Sequence, residues 1–148
     1  MAALAILATL VGCGQTAELT VTMADSSMEP TFSAWTQLRF LSASRADRGE
    51  VIAFEYPFPY PGRPRRELIS RVIGLPDDDL QLGPTGLLIN GQPYVEPYAI
   101  HQDAVSPQRL TVPPGTYFVL GDDRANQRDS RWWGLLPAQR VLGVWTGR

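Results

Sequence analysis

The sequence predicts an all-β protein of twisted, mostly antiparallel sheets. Short runs rich in β-branched and aromatic residues recur at 19–23, 37–41, 51–56, 67–74, 86–89, 116–120 and 141–145. Such residues fit the pleated, half-buried surface of a sheet. Proline, glycine and acidic turn residues separate the runs, at 57–64, 76–79, 90–91 and 113–115. No segment sustains the apolar period of a helix.

Residues 1–17 carry no charged side chain, and Ala2 to Gly12 are mostly apolar. They read as an N-terminal anchor or signal segment ahead of one folded region, 18–148. The apolar run is shorter than the roughly 20 residues a spanning helix needs. It has the length of a secretory signal but lacks the basic start of one. Leu10-Val11-Gly12-Cys13 resembles a lipobox, which would make Cys13 a lipid attachment site. All three readings put the chain from about residue 20 onward outside the cytoplasm.

The first strands are expected around Val21, around Leu38 and Phe40, and across Val51, Ile52, Phe54 and Tyr56. The run at 67–74 carries Leu68, Ile69, Val72 and Ile73. The next, 86–89, leads into Asn90-Gly91, a pair that tolerates positive φ at both positions and so marks a hairpin. Tyr117, Phe118 and Val119 define the run at 116–120, and Val141, Val144 and Trp145 the last.

A chain of 148 residues suits one domain with a real core. A net charge of -2 argues against a nucleic-acid partner, which would call for a basic face. The lone Cys13 excludes an internal disulfide, and with a single histidine, His101, no metal cluster suggests itself. No cofactor is expected. His101 falls in a polar loop and reads as a solvated residue. The 13 basic residues are all arginine.

Four motifs stand in order along the chain. They are Ser27-Met28-Glu29-Pro30-Thr31, then Arg48-Gly49-Glu50-Val51-Ile52-Ala53-Phe54, then Ile69-Ser70-Arg71-Val72-Ile73-Gly74-Leu75-Pro76, and finally the stretch from Gly121-Asp122-Asp123-Arg124 through Gln127 and Asp129 to Arg131 and Gly134. Together they resemble the bacterial signal peptidase I (leader peptidase) family, membrane-bound serine proteases with a Ser/Lys dyad. The resemblance covers residues 19–148. It implies the family's complex β fold, with a small accessory β region inserted at about 79–113, and a monomer at the membrane that acts on the signal peptides of exported preproteins.

By that resemblance Ser27 takes the place of the nucleophile and Ser70 that of the general-base lysine. In a strand, alternate side chains share a face, so Leu68, Ser70 and Val72 point one way and Ile69, Arg71 and Ile73 the other. Apolar neighbours would desolvate a lysine at position 70 and lower its pKa to a useful value. A serine hydroxyl there has no comparable basicity. The resemblance also places Gln127 where many members keep a serine that orients the amine. Asp25, with Ser26 beside it, replaces a serine that donates to the oxyanion, and an ionised carboxylate there would repel developing negative charge. Asp122, Arg124, Asp129 and Arg131 are expected to form mutual ion pairs under the site, with Arg71 part of the same scaffold. Met28, Ile52, Phe54, Leu68 and Val72 are candidates to line shallow substrate pockets, with plain core packing as the alternative. Of Trp132 and Trp133, one is expected in the core and one at an interface. Two functions stay open: a serine endopeptidase with an unconventional base, and a peptide-binding protein that does not cut.

Overall fold

The computed structural model describes residues 17–58, 66–84, 86–101, 108–126 and 128–147. Nearly all of its regular structure is strand, as the composition of the runs predicts. A seven-stranded antiparallel sheet contains β1 (Glu18–Thr22), β2 (Gln37–Ser42), β3 (Val51–Glu55), β4 (Glu67–Gly74) and, later in the chain, β9 (Thr116–Leu120), β10 (Leu136–Pro137) and β11 (Val141–Trp145). Its order is β1-β2-β11-β3-β4-β9-β10. A second, four-stranded sheet is formed by β5 (Asp79–Gly83), β6 (Gly86–Ile89), β7 (Gln92–Tyr94) and β8 (Gln108–Thr111), in the order β7-β6-β5-β8. A short α-helix, α1 (Ser130–Trp133), follows β9, and a single 3-10 turn, Ala138–Arg140, precedes β11.

β3 is buried on both faces, which explains its unbroken apolar sequence. Val51 and Ala53 join a cluster with Val21, Met28, Phe40 and Ile69. Ile52 and Phe54 join one on the opposite face with Val72, Val119 and Val141. Each fully buried side chain of this size contributes about 2 kcal/mol of hydrophobic stabilisation. A third cluster, including Ile73, Phe118 and Leu120 from the large sheet and Leu80, Leu82 and Leu87 from the small one, welds the two sheets together. Gly74 permits that junction. A Cβ there would come within 2.6 Å of Leu80 and 2.9 Å of Phe118.

The hairpin at Asn90-Gly91 forms as expected, with φ of 53° and 77° and Ile89 paired to Gln92. β7 is the return arm of that hairpin, whereas β5, β8 and β10 have no counterpart among the expected strands. In β5 the alternation of Leu80 and Leu82 with Asp79 and Gln81 is real, but it begins inside the acidic run at 77–79 that reads as a turn. β10 is two residues long and held by the start of β9.

β4 is only half paired. Residues 67–71 pair with β3, but β9 lies beside β4 only from Arg71 onward. Residues 67–70 therefore leave one edge without a strand. β1 is an edge strand, paired among the described residues with β2 alone. The curl of the large sheet brings its end opposite that open stretch of β4.

Candidate active site

A cavity of about 280 Å³ fills the gap between the end of β1 and the open half of β4. Residues 22–25, Ser27 and residues 66–70 line it, with Tyr56 and, from the segment around α1, Asn126, Arg128, Asp129, Trp132 and Trp133. Ser27 and Ser70 thus face one space, and Asp25 shares it.

Ser27 sits on a tight turn that is fixed from several sides. Its carbonyl accepts a hydrogen bond from the Asp123 amide at 3.0 Å. Gly121 packs against the same carbonyl so closely that a Cβ there would lie 2.6 Å from the oxygen. The next residue, Met28, is fully buried in the core. Thr31 donates its hydroxyl to Asp122. Asp122 accepts Nε of Arg71 at 2.8 Å and also pairs with the end of that guanidinium. Because Arg71 follows Ser70, the alternation of β4 links the two serines. The odd face grips the motif that holds Ser27, and the even face presents Ser70 to the cavity.

The backbone N–H of Ser27 is taken by Asp25, whose Oδ1 accepts it at 3.0 Å. In acyl-transfer chemistry such an amide can stabilise an oxyanion only if it is free to donate. Ser70 is 5% exposed and lines the cavity. Among the described residues its hydroxyl makes no hydrogen bond. The other ionisable side chains lining the cavity are Tyr56, Arg66, Glu67, Arg128 and Asp129, and Asp129 is committed to Arg131.

The ion pairs under the site differ from the mutual set expected of Asp122, Arg124, Asp129 and Arg131. Asp129 and Arg131 do pair, at 2.6 Å, and Asp129 also accepts the Gly121 amide at 3.1 Å. Asp122 instead pairs with Arg71, and Arg124 pairs with Glu96 from the loop after β7. The reason is geometric: Arg124 directs Nε to the Gly121 carbonyl at 2.9 Å and its terminal nitrogens to the Glu96 carboxylate. Burial works against the charge on Arg124, but Glu96 more than offsets it and raises its pKa. The Tyr98 ring covers the Arg71 guanidinium at 3.9 Å, and burial pushes its hydroxyl well above the usual tyrosine range.

Of the candidate substrate-lining residues, only Leu68 borders the cavity. Met28, Ile52, Phe54 and Val72 are each 0% exposed and belong to the core clusters. Ser26 is half-buried, does not line the cavity, and accepts the Glu29 amide on its carbonyl at 3.0 Å. His101 is largely exposed and lies 3.0 Å from Asp123. Trp133 packs on Phe54 and Tyr56, whereas Trp132 is 69% exposed. Gln127 and Cys13 lie outside the described residues. No helix among the described residues is long and apolar enough to cross a membrane. The sequence reading missed Tyr56, Arg66, Arg128 and Glu96. The first three reach the site only through the curl of the sheet, and Glu96 lies in a stretch read as accessory.

A serine on a braced turn beside an unpaired strand edge sets a hydroxyl next to a stretch that an extended peptide can pair with. A sequence profile described as signal peptidase, peptidase S26, matches residues 1–147, and the chain belongs to that family. The probable signal peptidase I-2 of Synechocystis sp. is 32% identical over 123 residues, which cover 80% of this chain and 56% of that protein. Signal peptidase I V of Bacillus subtilis is 32% identical over 139 residues, covering 80% of this chain and 77% of the relative. The crystal structure of a signal peptidase I from Enterococcus faecalis matches with a TM-score of 0.58 and 31% identity, over 69% of this chain and 97% of that one. The chain thus spans little more than half the length of the Synechocystis relative.

Proposed function

We propose that this protein works at the extracytoplasmic face of the membrane, where it binds the signal-peptide region of exported preproteins as an extended strand. In this reading Ser27 hydrolyses the bound peptide very slowly or not at all. The observation that carries it is the neighbourhood of Ser27. The cavity contains no lysine, and the Ser27 amide is held by Asp25. A serine hydroxyl is a poor nucleophile until a base takes its proton. Arginine stays protonated and cannot serve, Asp129 is tied to Arg131, Asp25 faces the amide, and Glu67 is an exposed residue on the strand face opposite Ser70. By resemblance, Ser70 stands where the family keeps its base. Loss of such a base costs up to about a million-fold in turnover.

Binding needs none of these groups. The open stretch of β4 and the end of β1 offer backbone donors and acceptors to an added strand, the usual way in which an extended peptide joins a sheet edge. A second reading keeps the protein a working endopeptidase with Ser27 as nucleophile and Asp25 as a weak base. The bracing of the Ser27 turn by Gly121 and Asp123 favours it.

The test is cleavage of a model preprotein by the wild-type protein beside Ser27→Ala, with signal-peptide affinity measured on both. Equal affinity and no Ser27-dependent cleavage are expected. Cleavage lost in Ser27→Ala would establish the endopeptidase instead. Absence of signal-peptide binding would remove the binding reading.

A further inference from the structure

We propose that the cavity wall formed by Tyr56, Leu68, Trp132 and Trp133 is a subsite for an aromatic side chain, carried by the peptide that pairs with β4. This rests on the peptide-binding reading above and names one residue class of that peptide. All four residues line the cavity that Ser27 borders. The Trp133 and Tyr56 rings meet edge to face at 6.0 Å, and Trp133 also packs on Phe54 at 5.9 Å. The Trp133 indole N–H donates to the Arg128 carbonyl at 3.1 Å, which fixes the ring. The wall is therefore built before a ligand arrives, and a preformed surface loses less order on binding. Phe58 continues it, with its ring 6.0 Å from that of Tyr56. Five large apolar side chains are exposed among the described residues, and two of them, Phe58 at 53% and Trp132 at 69%, stand at this wall. Folding leaves both in water, and apolar surface gathered at the rim of a cavity marks a binding place.

The size of the cavity decides what enters. An apolar cavity of about 150 Å³ holds a benzene ring. The 280 Å³ here has room for an aryl side chain and part of the backbone that carries it. An alanine methyl would reach few of the surrounding ring atoms and forfeit their dispersion contacts. An aromatic ring also gains offset or edge-on contact with Tyr56 and Trp132, which an aliphatic chain lacks. A strand added along 67–70 turns alternate side chains to opposite faces. Leu68 and Trp133 pack against the same core cluster, so every second peptide residue faces the wall. Leu68 belongs both to the wall and to the open edge of β4, which suits a strand rather than a bilayer.

The test uses the full chain and extended peptides identical except at one position, scanned in turn, that carries phenylalanine, leucine or alanine. At one position phenylalanine is expected to bind about tenfold more tightly than alanine and about threefold more tightly than leucine by calorimetry. Trp132→Ala is expected to cut the phenylalanine preference about fivefold, and Trp132→Phe to keep most of it. Equal binding of all three peptides at every position overturns the aromatic subsite and leaves the peptide-binding reading standing. Equal weakening of the phenylalanine and alanine peptides by Trp132→Ala also overturns it, because Trp132 would then act on the strand and not on the side chain. If Trp132→Ala and Phe58→Ser instead lose binding to phosphatidylglycerol vesicles and keep the full phenylalanine preference, this surface is a membrane contact and the subsite is overturned. A second probe separates the two proposals: N-acetyl-phenylalaninamide should saturably shift the Trp132 and Trp133 indole resonances, and N-acetyl-alaninamide should not. Those shifts with no peptide binding would leave the subsite and remove the peptide reading. Failure of both probes would overturn both.

Discussion

Asp25 stands two residues before Ser27, and its carboxylate accepts the amide hydrogen that acyl-transfer chemistry would aim at an oxyanion. On the proposed reading the site combines two separate obstacles, a cavity without a lysine and a Ser27 amide already held by Asp25. Each can be tested alone and together. Ser70→Lys is expected to raise Ser27-dependent hydrolysis of a fluorogenic signal peptide by about a hundredfold, the lower end of what a positioned base supplies. Adding Asp25→Ser should contribute about another hundredfold, the usual worth of one oxyanion donor. No gain from the double variant in a steady-state assay would mean that the cavity itself cannot hold a reacting peptide. A third residue matters by what it lacks: Gly121→Ala would force a methyl group against the Ser27 carbonyl. It should lower the melting temperature and loosen peptide binding together.

Among elements, the segments between strands carry the charge networks, and two of these give predictions. Arg48, ahead of β3, makes a two-pronged pair with Asp78, ahead of β5, at 2.8 and 3.0 Å. Asp78 also accepts the Leu75 amide and the Asn90 side chain. Burial pushes its pKa up, but Arg48, Leu75 and Asn90 together outweigh that and hold it below the ordinary 3.8. A lowered carboxylate pKa stabilises the fold above the unfolded value and is lost as pH falls through the folded one. Asp78→Asn should therefore cost about 2 kcal/mol at neutral pH. The difference from wild type should shrink once the pH drops below about 3.8, as followed by urea unfolding across pH. Glu96 and Arg124 form a more buried pair, with side chains 3% and 6% exposed. Glu96→Ala strands a guanidinium and should cost about 3 kcal/mol, whereas replacing both by apolar residues should cost far less. A double-mutant cycle by chemical denaturation checks this. These pairs were only partly legible in the sequence. The motif announced that Asp122, Arg124, Asp129 and Arg131 belong together, but pairing is set by which loop comes close. The contributions of Glu96 and Tyr98 depend on a second sheet whose strands β7 and β8 are short and polar. β3, β4, β9 and β11 were legible because both faces of each carry apolar side chains into the core clusters.

At the scale of the whole molecule, curling the large sheet brings β1 and β4, far apart in strand order, to the two walls of one cavity. No local pattern in the sequence encodes that approach. For this reason Ser27 and Ser70 could be paired only by resemblance, and Tyr56, Arg66 and Arg128 could not be placed at all. Four of the five candidate lining residues turned out to be core for the same cause, because apolar character alone does not say which side of a curled sheet faces solvent. The open edge has a further consequence. An exposed strand edge is a template on which a second copy of a chain can polymerise. Here the unpaired stretch runs only from 67 to 70, and the end of β1 stands across from it. A thin ligand strand can slip into that slot, whereas a second folded copy, carrying its own sheet, would collide with the opposite wall. On the proposed reading, the slot that admits a peptide thus keeps this stretch of β4 from pairing with a second copy. Sedimentation should show a single monomeric species at concentrations where edge-exposed sheets ordinarily self-associate.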